Sequence, residues 1–234
     1  MAININTIYQ KVLALANKEQ RGYITPQEFN LLADKAQNEI YENYFHQART
    51  SNAKIKDDDT HTDTLDMIEA KLSPFLKSES NTNVSSGIMT LPTDLYKLDI
   101  IKVLTNLATE VNKKEEHFLT SLGEPGTVLY PATNRPIFTR ASSTTIRITP
   151  SPINGTSCTV NYYKQPVTPK WDYVVVNEKA LYNSNSSVDF ELAVSEEEPL
   201  VLRILMLAGL TIQRPDVTQA GGQGLQMINQ EQNS

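Results

Sequence analysis

The chain has 234 residues, 39 % of them hydrophobic and 21 % charged, with a formal net charge of −6. That length and balance specify a globular chain with a sizeable core, as one large domain or two small ones. The acidic charge argues against a general nucleic-acid binder held by a basic surface.

The first residues, MAININTIYQKVLALANK, are too polar for a signal peptide. Residues 7–20 read as a short helix, with Ile8, Val12, Leu15 and Ala16 at helical spacing. Gly22 is a good left-handed terminator for it. The stretch Asn17 to Glu28 carries half of an EF-hand loop: Gly22, Ile24 and Glu28 stand at loop positions 6, 8 and 12. The other ligand positions fail, because Asn17 is neutral, Glu19 is too long and Arg21 is a cation. Calcium is therefore not expected. Thr25-Pro26-Gln27-Glu28 reads instead as a capping box with proline at the first helical position. Thr25 and Glu28 are expected to satisfy each other's amides at a sharp helix–turn–helix corner.

Residues 26–48 read as a long helix of about 35 Å at 1.5 Å per residue. Phe29, Leu32, Ala33, Ala36, Ile40, Tyr44 and Phe45 form one apolar stripe, which is far more often core than a cofactor groove. Residues 49–62 read as a polar loop. Asp57, Asp58, Asp59, His61 and Asp63 cluster there, but nothing fixes a metal geometry, and Asp63 suits the N-cap of the next helix. That helix spans residues 64–73, with Leu65, Ile68 and Leu72 on one side and Pro74 stopping it.

From Ser85 the period changes to two. GIMTLP, KLDIIKVLT, RPIFTR, TTIRITP, TSCTVNYYK and WDYVVVN are short β-rich runs broken by Pro, Gly, Asn and Ser. Ile146 and Ile148 share a face, as do Cys158, Val160 and Tyr162. Cys158 is thereby placed indoors. It is the one cysteine, so no internal disulfide forms and nothing marks a secreted protein. The Asn-x-Ser/Thr triplets at Asn83, Asn154 and Asn185 then read as chance matches. Asn154-Gly155 between TTIRITP and TSCTVNYYK predicts an antiparallel hairpin of those two runs.

Residues 195–213 return to helix, with Ser195 as N-cap, three glutamates suited to the positive helix end, and Pro199 in the first turn. Leu200 to Ile212 is apolar nearly all round, interrupted by Arg203, so this helix must be buried on more than one side. It still falls short of the ~18 apolar residues of a membrane span. Its partners are expected to be the N-terminal helices. Residues 214–234 are polar, rich in Gln, Asn and Gly, and expected to be disordered in the free chain. Leu225, Met227 and Ile228 are spaced apolar anchors in that tail for a partner to hold.

The expected fold class is α+β: a discontinuous helical bundle with an inserted antiparallel β domain. The expected parts are 1–80 (N-terminal helices), 85–192 (β-rich insertion), 195–213 (closing helix) and 214–234 (extended tail). No internal repeat is present. No catalytic constellation assembles either. His46, His61 and His117 fall in different segments, and no H-E-x-x-H, G-x-S-x-G or P-loop occurs. The glycines of Ala220–Gly224 follow a helix and lack the Lys-Ser/Thr of a phosphate loop. No enzyme activity, cofactor or metal is expected.

Two stretches carry a resemblance. GIMTLPTDLYKLDIIKV gives a strand, then Leu-Pro-x-Asp-Leu from Leu91 to Leu95, then a strand. IRITPSPINGTSCTVNYYKQP gives a strand ending in Pro-x-Pro, a turn, and a strand ending Tyr-Tyr-x-x-Pro. With TPQEFNLLADKAQNEIYENYF ahead and EEPLVLRILMLAGLTI behind, this order resembles the head-to-tail connector proteins of short-tailed bacteriophages, the adaptor or tail-tubular rings. The wording of the second helix also resembles ring proteins of crAss-like phages. The resemblance spans most of residues 7–213. It implies a virion structural protein without catalysis or cofactor. In such a protein about twelve copies form a ring under the portal, extend the channel through which DNA passes without sequence-specific binding, and receive the next tail component. A competing expectation is a carbohydrate- or receptor-binding β-sandwich module, with Tyr162, Tyr163, Trp171 and Tyr173 as a stacking platform.

Overall fold

The computed structural model describes residues 2–16, 24–54, 61–81, 84–104, 108–114, 130–151, 157–211, 222–227 and 230. The fold is α+β, with helices towards both ends of the chain and antiparallel or mixed sheets between them. It divides into two compact units, one formed by Met1–Pro74 with Pro166–Ser234 and the other by Phe75–Gln165.

The first unit is helical. Helix α1 (Ile5–Ala16) starts two residues before the expected position because Asn4 caps it. The Asn4 side-chain oxygen accepts the Thr7 amide at 3.1 Å, in the manner of an N-cap. A second acceptor comes from far along the chain: Asp189 takes the Ile5 amide at 2.9 Å. Ile5, Ile8, Tyr9 and Val12 form the buried stripe of α1.

Helix α2 (Pro26–Lys54) runs six residues beyond the predicted end at 48. The polar residues there continue the helix instead of leaving it; the Thr50 hydroxyl donates to the His46 carbonyl at 2.9 Å, the back-bond by which threonine is accommodated inside a helix. Phe29, Ala33, Ala36, Ile40 and Tyr44 are buried, as the stripe requires. Helix α3 (His61–Leu72) begins before Asp63, so Asp63 lies inside the helix and is not its N-cap. It packs on α2 and buries Ile68 and Leu72.

Helix α4 (Glu197–Thr211) packs on both α1 and α2. Leu200, Val201, Ile204, Leu205, Leu207 and Ala208 are all buried, so the expectation that the last helix closes on the first ones holds. Its entry differs from expectation. A 3-10 turn, Val194–Glu196, precedes α4 with Ala193 at its cap position and no side-chain cap bond, so Ser195 does not cap the helix. The glutamates also divide their roles: Glu196 pairs with Lys71 at 2.8 Å and Glu197 with Lys11 at 2.7 Å. Arg203 reaches Glu39 at 3.5 Å, which gives the one charge on the apolar stretch a partner.

The second unit is a sandwich of two four-stranded sheets. The first has the order β1 (Leu76–Asn81), β8 (Ser157–Lys164), β3 (Leu95–Leu104), β4 (Ala108–Glu110), all antiparallel. The second has the order β2 (Ile88–Thr90), β7 (Thr145–Thr149), β6 (Ile137–Arg140), β5 (Asn112–Lys113), with β5 and β6 parallel. Alternate residues of both sheets make one core: Met89, Ile146 and Ile148 from one, Ile101, Val103, Cys158, Val160 and Tyr162 from the other. Such alternation is what an antiparallel pair of sheets requires.

The expected β7–β8 hairpin is not present. β7 pairs with β2 and β6, whereas β8 pairs with β1 and β3. Both runs serve the same core from opposite sheets, and Pro150 at the end of β7 has no amide to continue a ladder. Asn154-Gly155 lies outside the described residues. A tight turn in this unit is at Ser86-Gly87, where both residues have positive φ (50° and 76°) and Ser85 and Ile88 exchange amide bonds of 3.1 and 2.9 Å. A Cβ on Gly87 would stand 2.9 Å from the Ile148 carbonyl oxygen, so the position needs glycine.

The insertion is shorter than the predicted 85–192. It begins earlier, with the polar strand β1, and ends at Gln165. Residues 166–192 belong to the helical unit because side chains of α2 hold their backbone. Asn30 receives the Trp171 amide at 2.7 Å and donates to the Trp171 carbonyl at 3.1 Å. Gln37, fully buried, donates to the Val167 carbonyl at 2.9 Å and accepts the Glu191 amide at 3.2 Å. Asn30 and Gln37 are seven residues apart and so share one helix face. Each offers a donor and an acceptor, and so substitutes for a neighbouring strand.

Candidate functional site

The segment held by Asn30 and Gln37 carries a two-stranded ribbon, β9 (Tyr173–Val176) and β10 (Lys179–Tyr182). Asn177 and Glu178 join the strands with φ of 49° and 62°. Two successive positive φ values give the type I′ turn that matches the twist of a hairpin.

The base of the ribbon is locked. Trp171 is 3 % exposed and donates its indole N–H to Asn6 at 3.1 Å. Its ring lies 4.4 Å from Tyr9 and stacks with Tyr173 at 5.7 Å and Tyr182 at 5.8 Å. Around it, Ser187 accepts the Asp172 amide at 2.9 Å, and the Asp172 carbonyl accepts the Asn183 amide at 2.9 Å. The Ser186 hydroxyl donates to the Asp172 carboxylate, and Lys170 stands 2.9 Å from it. Those two contacts, Ser186 first, hold the Asp172 carboxyl below its usual range.

The two faces of the ribbon differ. Tyr173 and Tyr182 are opposite each other in register and half-buried. On the alternate face Val174 stands opposite Leu181 and Val176 opposite Lys179; Val174, Leu181 and Val176 are 53 %, 53 % and 45 % exposed. A sheet face turned to water is normally polar. Here three of its four positions are aliphatic and the fourth is Lys179, on a locked base, which is the character of a binding surface.

The sequence-predicted residues are placed as follows. The capping box forms in full: Glu28 accepts the Thr25 amide at 2.9 Å and Thr25 accepts the Glu28 amide at 3.3 Å. The Thr25 amide and then its hydroxyl hold the Glu28 carboxyl below the usual range. Positions 17 to 22 of the half EF-hand lie outside the described residues, but Glu28 is committed to its cap. Asp57, Asp58 and Asp59 also lie outside them. Among the described residues no group of three or more His, Cys, Asp or Glu side chains gathers at metal-binding distance.

The expected tail anchors separate. Leu225 lies on a helical turn over 222–227 and is only 9 % exposed within this chain, whereas Met227 is 68 % exposed and Ile228 is outside the described residues. Gly224 sits against α4, where a Cβ would come within 2.8 Å of Leu202. The glycine-rich stretch read as loose tail therefore supplies a close approach, and Leu225 is not left free for a partner. Tyr162, Tyr163, Trp171 and Tyr173 do not make a stacking platform, since Trp171 and Tyr162 are both buried. Tyr162 instead donates to Asp94 at 2.8 Å, and Lys77 meets the same carboxylate at 2.6 Å. Lys77 chiefly, with help from Tyr162, holds Asp94 below its usual range, so the aspartate of the Leu-Pro-x-Asp-Leu motif ties β1 and β8 to the start of β3. Cys158 is buried, which raises its thiol pKa.

No helix among the described residues is long and apolar enough to cross a membrane. No protein-family model matches the chain, and no curated protein matches it.

Proposed function

We propose that the chain is a structural virion protein that forms a homo-oligomeric connector ring between a phage portal and the next tail component. In this reading about twelve copies enclose the channel through which packaged DNA passes, and the role is mechanical rather than catalytic. The observation that carries the reading is the architecture. Helices from both ends of the chain close into one unit, a mostly antiparallel sandwich is inserted between them in the sequence, and this order supports the reading that the sequence resemblance implies. The exposed aliphatic ribbon supports it further, because a subunit of a ring must present apolar surface to its neighbours.

Mass photometry of the purified chain, alone and mixed with a portal, tests the proposal. Discrete closed multiples of the 26.2 kDa subunit in either sample are expected. Monomer alone in both samples would remove the ring from the account.

A further inference from the structure

We infer that the outer face of the β9–β10 ribbon docks on the sandwich unit of a second copy of this chain, head to tail. The inference rests on the ring reading and names its contact.

The ribbon is built to be covered. Val174, Leu181 and Val176 are exposed aliphatic side chains on one face, whose fourth position is Lys179 opposite Val176. Among the described residues neither ribbon edge pairs with a further strand. A lone two-stranded ribbon is marginal in water. The Trp171–Tyr173–Tyr182 stack fixes its base, so docking orders little that is not already ordered.

Charge selects the occupant. The helical unit that carries the ribbon has 12 Lys and Arg against 20 Asp and Glu, a net of −8. The sandwich unit has nine Lys and Arg against seven Asp and Glu, a net of +2. Two helical units therefore repel, whereas a helical unit and another copy's sandwich attract. The sandwich also offers somewhere to dock. β1 is an edge strand exposed from Leu76 to Ser80, and the edge strand β2 exposes Ile88; Leu76 and Ile88 are 47 % and 39 % exposed. Donor and acceptor surfaces lie on different units, so each copy presents one of each. Such a heterologous contact propagates, and closes into a ring when the rotation permits. A ribbon-to-ribbon contact would instead stop at a dimer and bring two −8 units together.

The test uses the full chain carrying Val174→Lys with Leu181→Lys, compared with wild type by light scattering after size exclusion at low and high salt. Both positions are exposed, so the melting temperature of the variant should match that of wild type. Its self-association should weaken by roughly tenfold or more, and wild-type association should weaken with salt. Mixing provides the decisive arm. The variant keeps its sandwich, so a minor fraction of it should cap wild-type chains and shift wild-type assemblies to smaller sizes. A variant that assembles like wild type overturns the inference and leaves the ring reading standing. A monomeric variant that leaves wild-type assemblies untouched also overturns it, since that is the behaviour of ribbon-to-ribbon pairing. Wild type that stays monomeric, alone and with a portal, removes both the inference and the ring.

Discussion

The two units are held together by opposite strategies. The sandwich is one continuous segment, Phe75–Gln165, whose strands bury one shared core. The helical unit draws on both ends of the chain: α4 covers α1 and α2, Asp189 caps α1 from 184 residues away, and Asn30 and Gln37 bind backbone 141 and 130 residues downstream. Long-range closure costs loop entropy before any contact repays it. The helical unit is therefore the part that a cut anywhere in the chain puts at risk, while the sandwich depends on its own segment.

The largest predicted effect breaks that asymmetry directly. Deleting residues 195–234 removes α4 and uncovers the buried stripes of α1 and α2. The product should lose the cooperative helical melting transition in circular dichroism while retaining β signal. A truncated chain with an intact helical transition would show that α4 merely covers a self-sufficient pair of helices.

Single side chains sharpen the comparison. Ile204→Ala, at a fully buried position of α4, should cost ~2–5 kcal/mol in denaturant unfolding. Leu31→Ala, at a position 75 % exposed on α2, should stay within about 0.5 kcal/mol of wild type. Gln37→Ala strands a part-buried backbone carbonyl and amide, and should cost about 1–3 kcal/mol. Amide hydrogen exchange should then speed up over 166–191 and remain unchanged in β3 and β8.

The smallest effects concern the caps. Thr25→Ala should cost about 1 kcal/mol. Glu28 and Asp94 both have carboxyls depressed below their ordinary 4.5 and 3.8. A depressed folded pKa means that the unfolded state binds the proton first on acidification. Each group thus stabilises the fold at neutral pH, and that contribution disappears as pH falls from the ordinary value through the depressed one. Glu28→Gln and Asp94→Asn should each flatten the acid limb of a stability–pH profile and leave its shape above pH about 6 unchanged.

How much of this was legible depended on whether the cause was local. The capping box at Thr25 and Glu28 is four consecutive residues, and it could be read directly. Alternation at Ile146/Ile148 and Cys158/Val160/Tyr162 named the right inward faces, yet said nothing of which strands pair, so the β7–β8 hairpin was misread. β1, with the sequence LKSESN, has no apolar alternation because it is an edge strand with solvent on both sides, and it reads as a loop. Asn30 and Gln37 look like ordinary surface residues of a helix, since their partners are backbone atoms more than a hundred residues away. The ribbon had one visible half. WDYVVVN was a predicted strand, but its partner KALY follows an Asn-Glu turn in place of the usual Asn-Gly, and nothing in the tail pointed to it. Leu225 stands out in the sequence as apolar in a polar stretch, yet the fold uses it inside the chain and leaves Val174 and Leu181 outside.

We propose that this chain is a ring-forming connector subunit. Negative-stain imaging of the full-length protein, alone and after mixing with a portal, tests it most directly. Closed rings of uniform diameter with an open centre, seated coaxially on the portal in the mixture, are expected. Isolated single subunits in both samples, with bare portals in the second, would contradict it.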